Sequence, residues 1–282
     1  MASDPPKACD PCDEWNKPQE PFRIFGDTYF VGTEGLASIL IASTDGSILL
    51  DGGLPQSAPL IAANIRKLGF DLKDVRLIVN SHMHYDHAGG IAALQRASGA
   101  TVAASAAGAV ALEQGGPAED DPQITFGREH NEFPAVADVR VVRDDETLRV
   151  GKLAITARFT PGHTPGGTTW TWRSCEAAKC LDLVYADSLN SVSAPDFRFT
   201  GDGKYPSRVE IFRRSIARVE ALPCDLLLAP HPPLFDMKAK IERRVREPAS
   251  NPFIDSQGCK AYAASARKNL ELRIAQENAS SN

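Results

Sequence analysis

The segment His82-Met83-His84-Tyr85-Asp86-His87 lies directly behind the apolar run Val75-Arg76-Leu77-Ile78-Val79 and ahead of Gly89-Gly90. It constrains this chain more than any other stretch, because the fold must present a loop of ligating side chains at the end of a strand. Residues two apart in an extended segment point the same way, so His82 and His84 are predicted to grip one ion together. Asp86 and His87 fall beyond the turn and are predicted to face a second ion, an arrangement suited to two-metal hydrolysis. Three of the chain's six histidines lie here beside an aspartate, which a chance grouping of surface polar residues does not explain.

The flanking pattern alternates short apolar runs with helical spacing. Thr28–Val31, Ala37–Ile41 and Ser47–Asp51, separated by Gly35 and by Asp45-Gly46, predict an antiparallel meander. A helix is predicted over Ser57–Leu68, the strand Val75–Val79 precedes the histidines, and Ile91–Ala97 predicts a second helix before Thr101–Ala103. The second half repeats this logic with strands at Arg149–Val150, Leu153–Ala157, Thr168–Trp172, Leu183–Tyr185 and Asp225–Leu228. Helices are predicted over Val209–Leu222 and along the tail Asp255–Glu277. Residues 1–21, rich in proline and charge, predict a loosely ordered N-terminal arm, and 22–282 a single domain of two αβ halves.

At 282 residues, 43% of them hydrophobic, the chain is long enough for a full core. A net charge of −5 provides no basic field, so nucleic acid is excluded as a partner and a small molecule is expected. No apolar run approaches the roughly 18 residues that span a bilayer, and the polar, proline-rich start lacks the features of a signal peptide. Cys175 and Cys180 bracket a short polar stretch with the spacing of a disulfide closing a hairpin, and Cys224 with Cys259 would tie the last strand to the C-terminal helix. The alternative is six thiols in a reducing compartment. Cys9-Asp10-Pro11-Cys12 is half a zinc clip, a redox motif or a local disulfide.

His163, in Thr160-Pro161-Gly162-His163, and His231, in Ala229-Pro230-His231-Pro232, each follow an apolar run, so three loops deliver histidines to one rim. A hydrolytic zinc ion takes three protein ligands and keeps one position open. His82, His84 and His163 are therefore assigned to one ion, and Asp86, His87 and His231 to the other. Imidazole-rich ligation favours Zn2+, two per chain. The expected nucleophile is a hydroxide shared by the ions, with Asp86 orienting it and holding its proton. Asp51 is expected either to accept a hydrogen bond from a ligand imidazole or to serve as a turn residue before Gly52-Gly53. His130, in a charged loop without ligand spacing, is expected to be a bystander.

The His82-x-His84-x-Asp86-His87 core with His163 and His231 resembles the metallo-β-lactamase superfamily, over nearly the whole chain from Phe22. This resemblance implies an αββα four-layer sandwich, with mixed sheets inside and helices on the outer faces, and a binuclear zinc site on its edge. The chain is more specifically similar to subclass B3, in which a serine stands where other subclasses place a cysteine ligand. Ser188 in Tyr185-Ala186-Asp187-Ser188-Leu189 matches that serine. Pro161–Trp172, Asp121-Pro122-Gln123, Pro230-His231-Pro232 and bridges Cys224–Cys259 and Cys175–Cys180 also resemble that subclass. Glu34 departs from relatives that carry a cysteine there, which leaves Cys9 and Cys12 without a long-range partner. The implied substrates are β-lactam antibiotics, with Ser188, Asn190 and Gln123 as substrate-binding residues. The implied setting is a Gram-negative periplasm, with a signal already removed, and the expected form is a monomer. The same ligand set would serve a glyoxalase II-like thioesterase or a lactone hydrolase, in which Asp187 would bridge the metals if the strand register shifted by one.

Overall fold

A computed structural model describes residues 3–280. The first sheet follows the chain in order: β1 (Phe22–Phe25), β2 (Thr28–Phe30), β3 (Ile39–Ser43), β4 (Gly46–Leu50), β5 (Val75–Val79), β6 (Thr101–Ala104) and β7 (Val139–Val141). The strands β1 to β4 form the predicted antiparallel meander, and β4 to β7 pair parallel. The second sheet comprises β8 (Thr147–Val150), β9 (Leu153–Phe159), β10 (Thr168–Glu176), β11 (Lys179–Tyr185) and β12 (Leu226–Leu228), antiparallel except between β11 and β12. The helices are α1 (Cys12–Trp15), α2 (Ala58–Lys67), α3 (Tyr85–Ala88), α4 (Ile91–Ser98), α5 (Ala106–Gln114), α6 (Arg128–Asn131), α7 (Val209–Ala221), α8 (Met237–Arg246) and α9 (Gly258–Ala279).

Period-two alternation sorts the layers. Ile39, Ile41, Ile48, Leu50, Leu77 and Val79 share a core with Ile155, Ala157, Trp170 and Leu183 of the second sheet. Leu40, Leu49 and Ile78, one residue out of step, pack with Ile61 and Ile65 of α2, Leu94 of α4 and Leu112 of α5. Phe212 and Ile216 of α7 and Ala263, Ala266 and Leu270 of α9 complete the core on the far side, giving the αββα sandwich. Each such buried aliphatic side chain contributes about 1.5–3 kcal/mol. A one-residue slip of β5 would exchange its two faces, so packing pins the register and with it the direction in which residues 80–84 leave the sheet.

Among the described residues of the arm, the stretch from Cys9 to Asn16 is tied to the domain rather than loosely ordered. The Trp15 carbonyl accepts from Thr33 Oγ1 at 2.7 Å and from Gly35 N at 3.1 Å, and the Asn16 side chain accepts from Ser57 Oγ at 2.6 Å. Cys12 is buried and bonded to Cys9, the local option among those open for this pair. The other bridges join Cys175 to Cys180 and Cys224 to Cys259. Two helices lacked a readable pattern: α5 is alanine-rich with little contrast between faces, and α8 is mostly charged with only Met237 fully buried. No helix among the described residues is long and apolar enough to cross a membrane.

Candidate metal centre

After β5 the chain bends at Ser81 and reaches His84, the extended residue at the N-terminal cap position of α3, and α3 then carries Asp86 and His87 on a single helical turn. The turn sits close against the loop after β4. A Cβ on Gly90 would lie 2.2 Å from the Gly52 carbonyl oxygen, so only glycine permits this approach. His163 comes from the loop between β9 and β10, and His231 from the loop after β12, just ahead of a 3-10 turn at Pro232–Phe235.

The rings of His82, His84 and His163 surround one point: their centroids are 4.8–5.0 Å apart and their planes nearly perpendicular. A ligand atom from each lies within 4.8 Å of the others, and the same holds for His82, Asp86 and His87. Asp86 Oδ2, His87 Nε2 and His231 Nε2 form a tighter triangle with edges of 3.1, 3.3 and 3.2 Å. Donor atoms bound tetrahedrally to zinc at 2.0–2.1 Å stand about 3.3 Å apart, so this triangle matches one face of such a site. The structure thus brings together all six side chains assigned from the sequence.

Each imidazole of the first group is held through its second nitrogen. His82 Nδ1 is 2.8 Å from Asp187 Oδ1, His84 Nε2 is 3.1 Å from Asp121 Oδ1, and His163 Nδ1 is 3.0 Å from the Asn190 carbonyl oxygen. Assigning the protons to these bonds leaves His82 Nε2, His84 Nδ1 and His163 Nε2 as ligand atoms. Burial, helped by its histidine neighbours, holds His82 well below its ordinary pKa, and burial with His84 nearby lowers His163 to about 3. Both are therefore neutral, the form that binds a metal. Burial would raise Asp86, but His87 and His231 outweigh it and hold the carboxyl well below the usual range. In His84 the burial penalty is overcome by Asp121, which raises the imidazole.

Of the two readings open for Asp51, the structure takes the turn residue. Its carboxylate accepts from Asn80 Nδ2, Ser81 N, Ser81 Oγ and Tyr185 Oη, not from an imidazole. The residue takes a left-handed φ of 59° at the end of β4 and braces the start of the histidine segment through Ser81. The carboxylates that do hold imidazoles are Asp187 and Asp121, roles that sequence spacing did not mark because both lie far along the chain from their partners. Gly167 is required beside Asp187, since a Cβ there would meet its Oδ2 at 2.2 Å.

Ser188 is buried, and neither its Oγ nor Asn190 Oδ1 has a protein hydrogen-bond partner. Gln123 follows Asp121 by two residues, and its backbone N–H donates to that carboxylate at 2.8 Å. The Pro122 carbonyl accepts from Ala194 N at 2.9 Å, which joins the Gln123 loop to the one carrying Ser188 and Asn190. His130 lies outside both groups and packs its ring on Tyr85 and Phe126. Trp15, which the sequence did not single out, lies with its ring 5.3 Å from that of His231, whose Nδ1 is 3.3 Å from the Gly35 carbonyl oxygen.

Two packed sheets with this histidine and carboxylate cluster between their loops define a metal-dependent hydrolase. The chain belongs to the metallo-β-lactamase superfamily, whose family model matches residues 32–231. Among solved structures it is similar to the Rm3 metallo-β-lactamase, at 48% identity and a TM-score of 0.92, covering 96% of this chain and 99% of that one. It is likewise similar to MEM-A1, a subclass B3 metallo-β-lactamase isolated from a soil metagenome library, at 50% identity and a TM-score of 0.90, covering 94% and 99%. A curated relative, a hydroxyacylglutathione hydrolase of Rhodopseudomonas palustris, is 29% identical over 174 residues, 62% of this chain and 53% of that protein. The chain spans about half the length of the curated relatives it matches.

Proposed function

We propose that this protein is a zinc-dependent β-lactamase of subclass B3, hydrolysing the amide of penicillins, cephalosporins and carbapenems and so conferring resistance. The observation that carries this reading is the pair of three-residue donor sets beside the unpartnered polar groups of Ser188 and Asn190. Near-complete coverage of lactamases at 48–50% identity supports it. The donor chemistry fits two zinc ions: imidazole nitrogens and one carboxylate oxygen, three protein ligands each, suited to an open position. His82, His84 and His163 would hold one ion, and Asp86, His87 and His231 the other. Bound zinc supplies a water of lowered pKa and polarises the lactam carbonyl.

The chain's own residues do the rest. Asp86 places Oδ2 in its triad, where it would hold an ion, and its Oδ1 would orient the attacking water and take its proton. Asp187 and Asp121 fix the rotation of His82 and His84. Ser188 Oγ and the Asn190 side chain donate to the substrate carboxylate, a neutral recognition in place of an ion pair, and Gln123 lines the same cleft. Residues 22–282 act as one domain of two αβ halves with 1–21 as its arm, as a monomer. Three disulfides suit an oxidising compartment such as the periplasm.

The thioesterase alternative requires Asp187 among the ligands. Its Oδ1 bonds His82 Nδ1 while Oδ2 has no protein partner, so the lactamase reading is favoured instead by the near-complete match to lactamases at 48–50% identity. The test is turnover of a chromogenic cephalosporin and a carbapenem, with and without chelator, beside a glutathione thioester and a lactone. Fast, chelator-sensitive loss of the β-lactams alone is expected; hydrolysis of thioester or lactone without β-lactam turnover would overturn the reading.

A further inference from the structure

Between Tyr185 at the end of β11 and Val209 at the start of α7 the chain forms neither helix nor strand, yet it carries Ser188 and Asn190. Its backbone groups bond partly within the segment, as from Arg208 N to the Phe199 carbonyl, and partly to outside elements, among which α9 makes several of the contacts. The Tyr262 hydroxyl donates to the Asp187 carbonyl at 2.9 Å and accepts from Leu189 N at 2.9 Å, so one buried oxygen closes both sides of Ser188. Two turns and more along α9, Arg273 donates to Ser193 Oγ at 2.8 Å and to the Phe197 carbonyl at 2.9 Å. Glu277, paired with Arg273 at 2.7 Å, accepts from Phe199 N at 3.0 Å and Thr200 N at 2.9 Å.

The first of these anchors falls at a decisive place. Asp187 holds His82 through its side chain, and Asn190 holds His163 through its carbonyl. Both ends of the short stretch 187–190 are thus tied to imidazoles, and Tyr262 fixes the backbone between them. Within this stretch the buried side-chain atoms left without protein partners are Asp187 Oδ2, Ser188 Oγ and Asn190 Oδ1, and the last two belong to residues whose side chains hold no imidazole.

We propose that Tyr262 is a positioning residue for substrate binding, its hydroxyl holding the backbone around Ser188 so that Ser188 Oγ and the Asn190 amide meet the substrate carboxylate. This rests on the lactamase reading above. Tyr262 touches neither substrate nor reacting atoms; it acts through the loop, so its loss weakens binding more than chemistry.

The experiment uses the zinc-loaded full chain and Tyr262→Phe, which keeps the ring and removes only the hydroxyl. We expect KM for a carbapenem to rise about tenfold with kcat within about threefold, the loss of one buried hydrogen-bonding group to the bound loop. Zinc content stays at the wild-type value, and amide exchange at Leu189 accelerates at least about tenfold. In a Ser188→Ala background, Tyr262→Phe raises KM by less than it does in the wild type, because the two substitutions share the Ser188 contact and only that of Asn190 remains. An unchanged KM, or effects of the two substitutions that simply multiply, would overturn the assignment. So would loss of zinc with a collapse of kcat, which would place the residue's role at the His82–Asp187 pair. If wild-type protein opens no β-lactam, the functional reading fails on that result alone; Leu189 exchange unaltered by Tyr262→Phe overturns the positioning role whatever the substrate.

Discussion

Asp187 and His82, separated by 105 residues in the chain, meet at 2.8 Å between Oδ1 and Nδ1 in a fully buried contact. The second sheet thereby orients a ligand carried by the first. Removing this carboxylate with Asp187→Ala should lower zinc affinity about 10–100-fold, as measured by competition with a chromophoric chelator. Unchanged affinity would mean that packing alone orients the ring.

The triangle of Asp86, His87 and His231 makes a graded prediction. His82→Ala and His231→Ala should each remove metal and turnover together, whereas His130→Ala, outside both groups, should retain both within about twofold of wild type. Metal analysis beside initial rates decides it. Full rate and full metal in His231→Ala would sink the assignment of the second triad.

Asp86→Asn separates binding from chemistry. The amide can still ligate through oxygen but cannot hold a proton, so at saturating zinc kcat should fall by about 10²–10⁴, the range of a lost general base. A rate restored by added zinc alone would reduce Asp86 to a ligand.

The bridge between Cys224 and Cys259 closes a loop with a sequence separation of 35, and in the chain-entropy view it is worth about 3–4 kcal/mol. The double serine variant at these positions should lose about that much in a urea unfolding curve. The Cys9–Cys12 bridge, with a separation of only 3, should cost about half as much when removed.

Glu277 gives the pH dependence a sign. Burial would raise its carboxyl, but donors from Thr200, Phe199 and Arg273 outweigh that and hold it below 4.5. A group whose folded pKa is depressed contributes fully above its unfolded value and loses that contribution as pH falls through the folded one. Glu277→Gln should therefore cost about 1–3 kcal/mol at neutral pH, with the difference from wild type shrinking below pH 4.5. A difference constant with pH would show that shape rather than charge matters there.

Much of this was legible in the sequence because it depends on local periodicity. β5 lies where the run Val75–Val79 puts it, α7 ends within a residue of its expected bound, and the six side chains that the structure brings together follow from strand ends and spacing. What spacing could not convey was pairing across the chain: Asp121 with His84, Asp187 with His82, Trp15 with His231. The two readings of Asp51 stay open in the sequence for the same reason, since a strand-end carboxylate looks alike whether it faces an imidazole or the backbone of Ser81. The arm was misread because proline and charge hide the burial of Cys12 and the backbone bonds of Trp15.

His87 and His231 are 144 residues apart, yet their Nε2 atoms approach to 3.2 Å. A chain still being synthesised, or one cut before Pro230, lacks the last donor of that triad however well its earlier strands have paired. On the two-ion reading proposed above, capture of the second ion is thus a late event that counts only finished molecules. Under zinc scarcity the population should divide into correctly built proteins that differ in metal load, rather than into folded and misfolded chains.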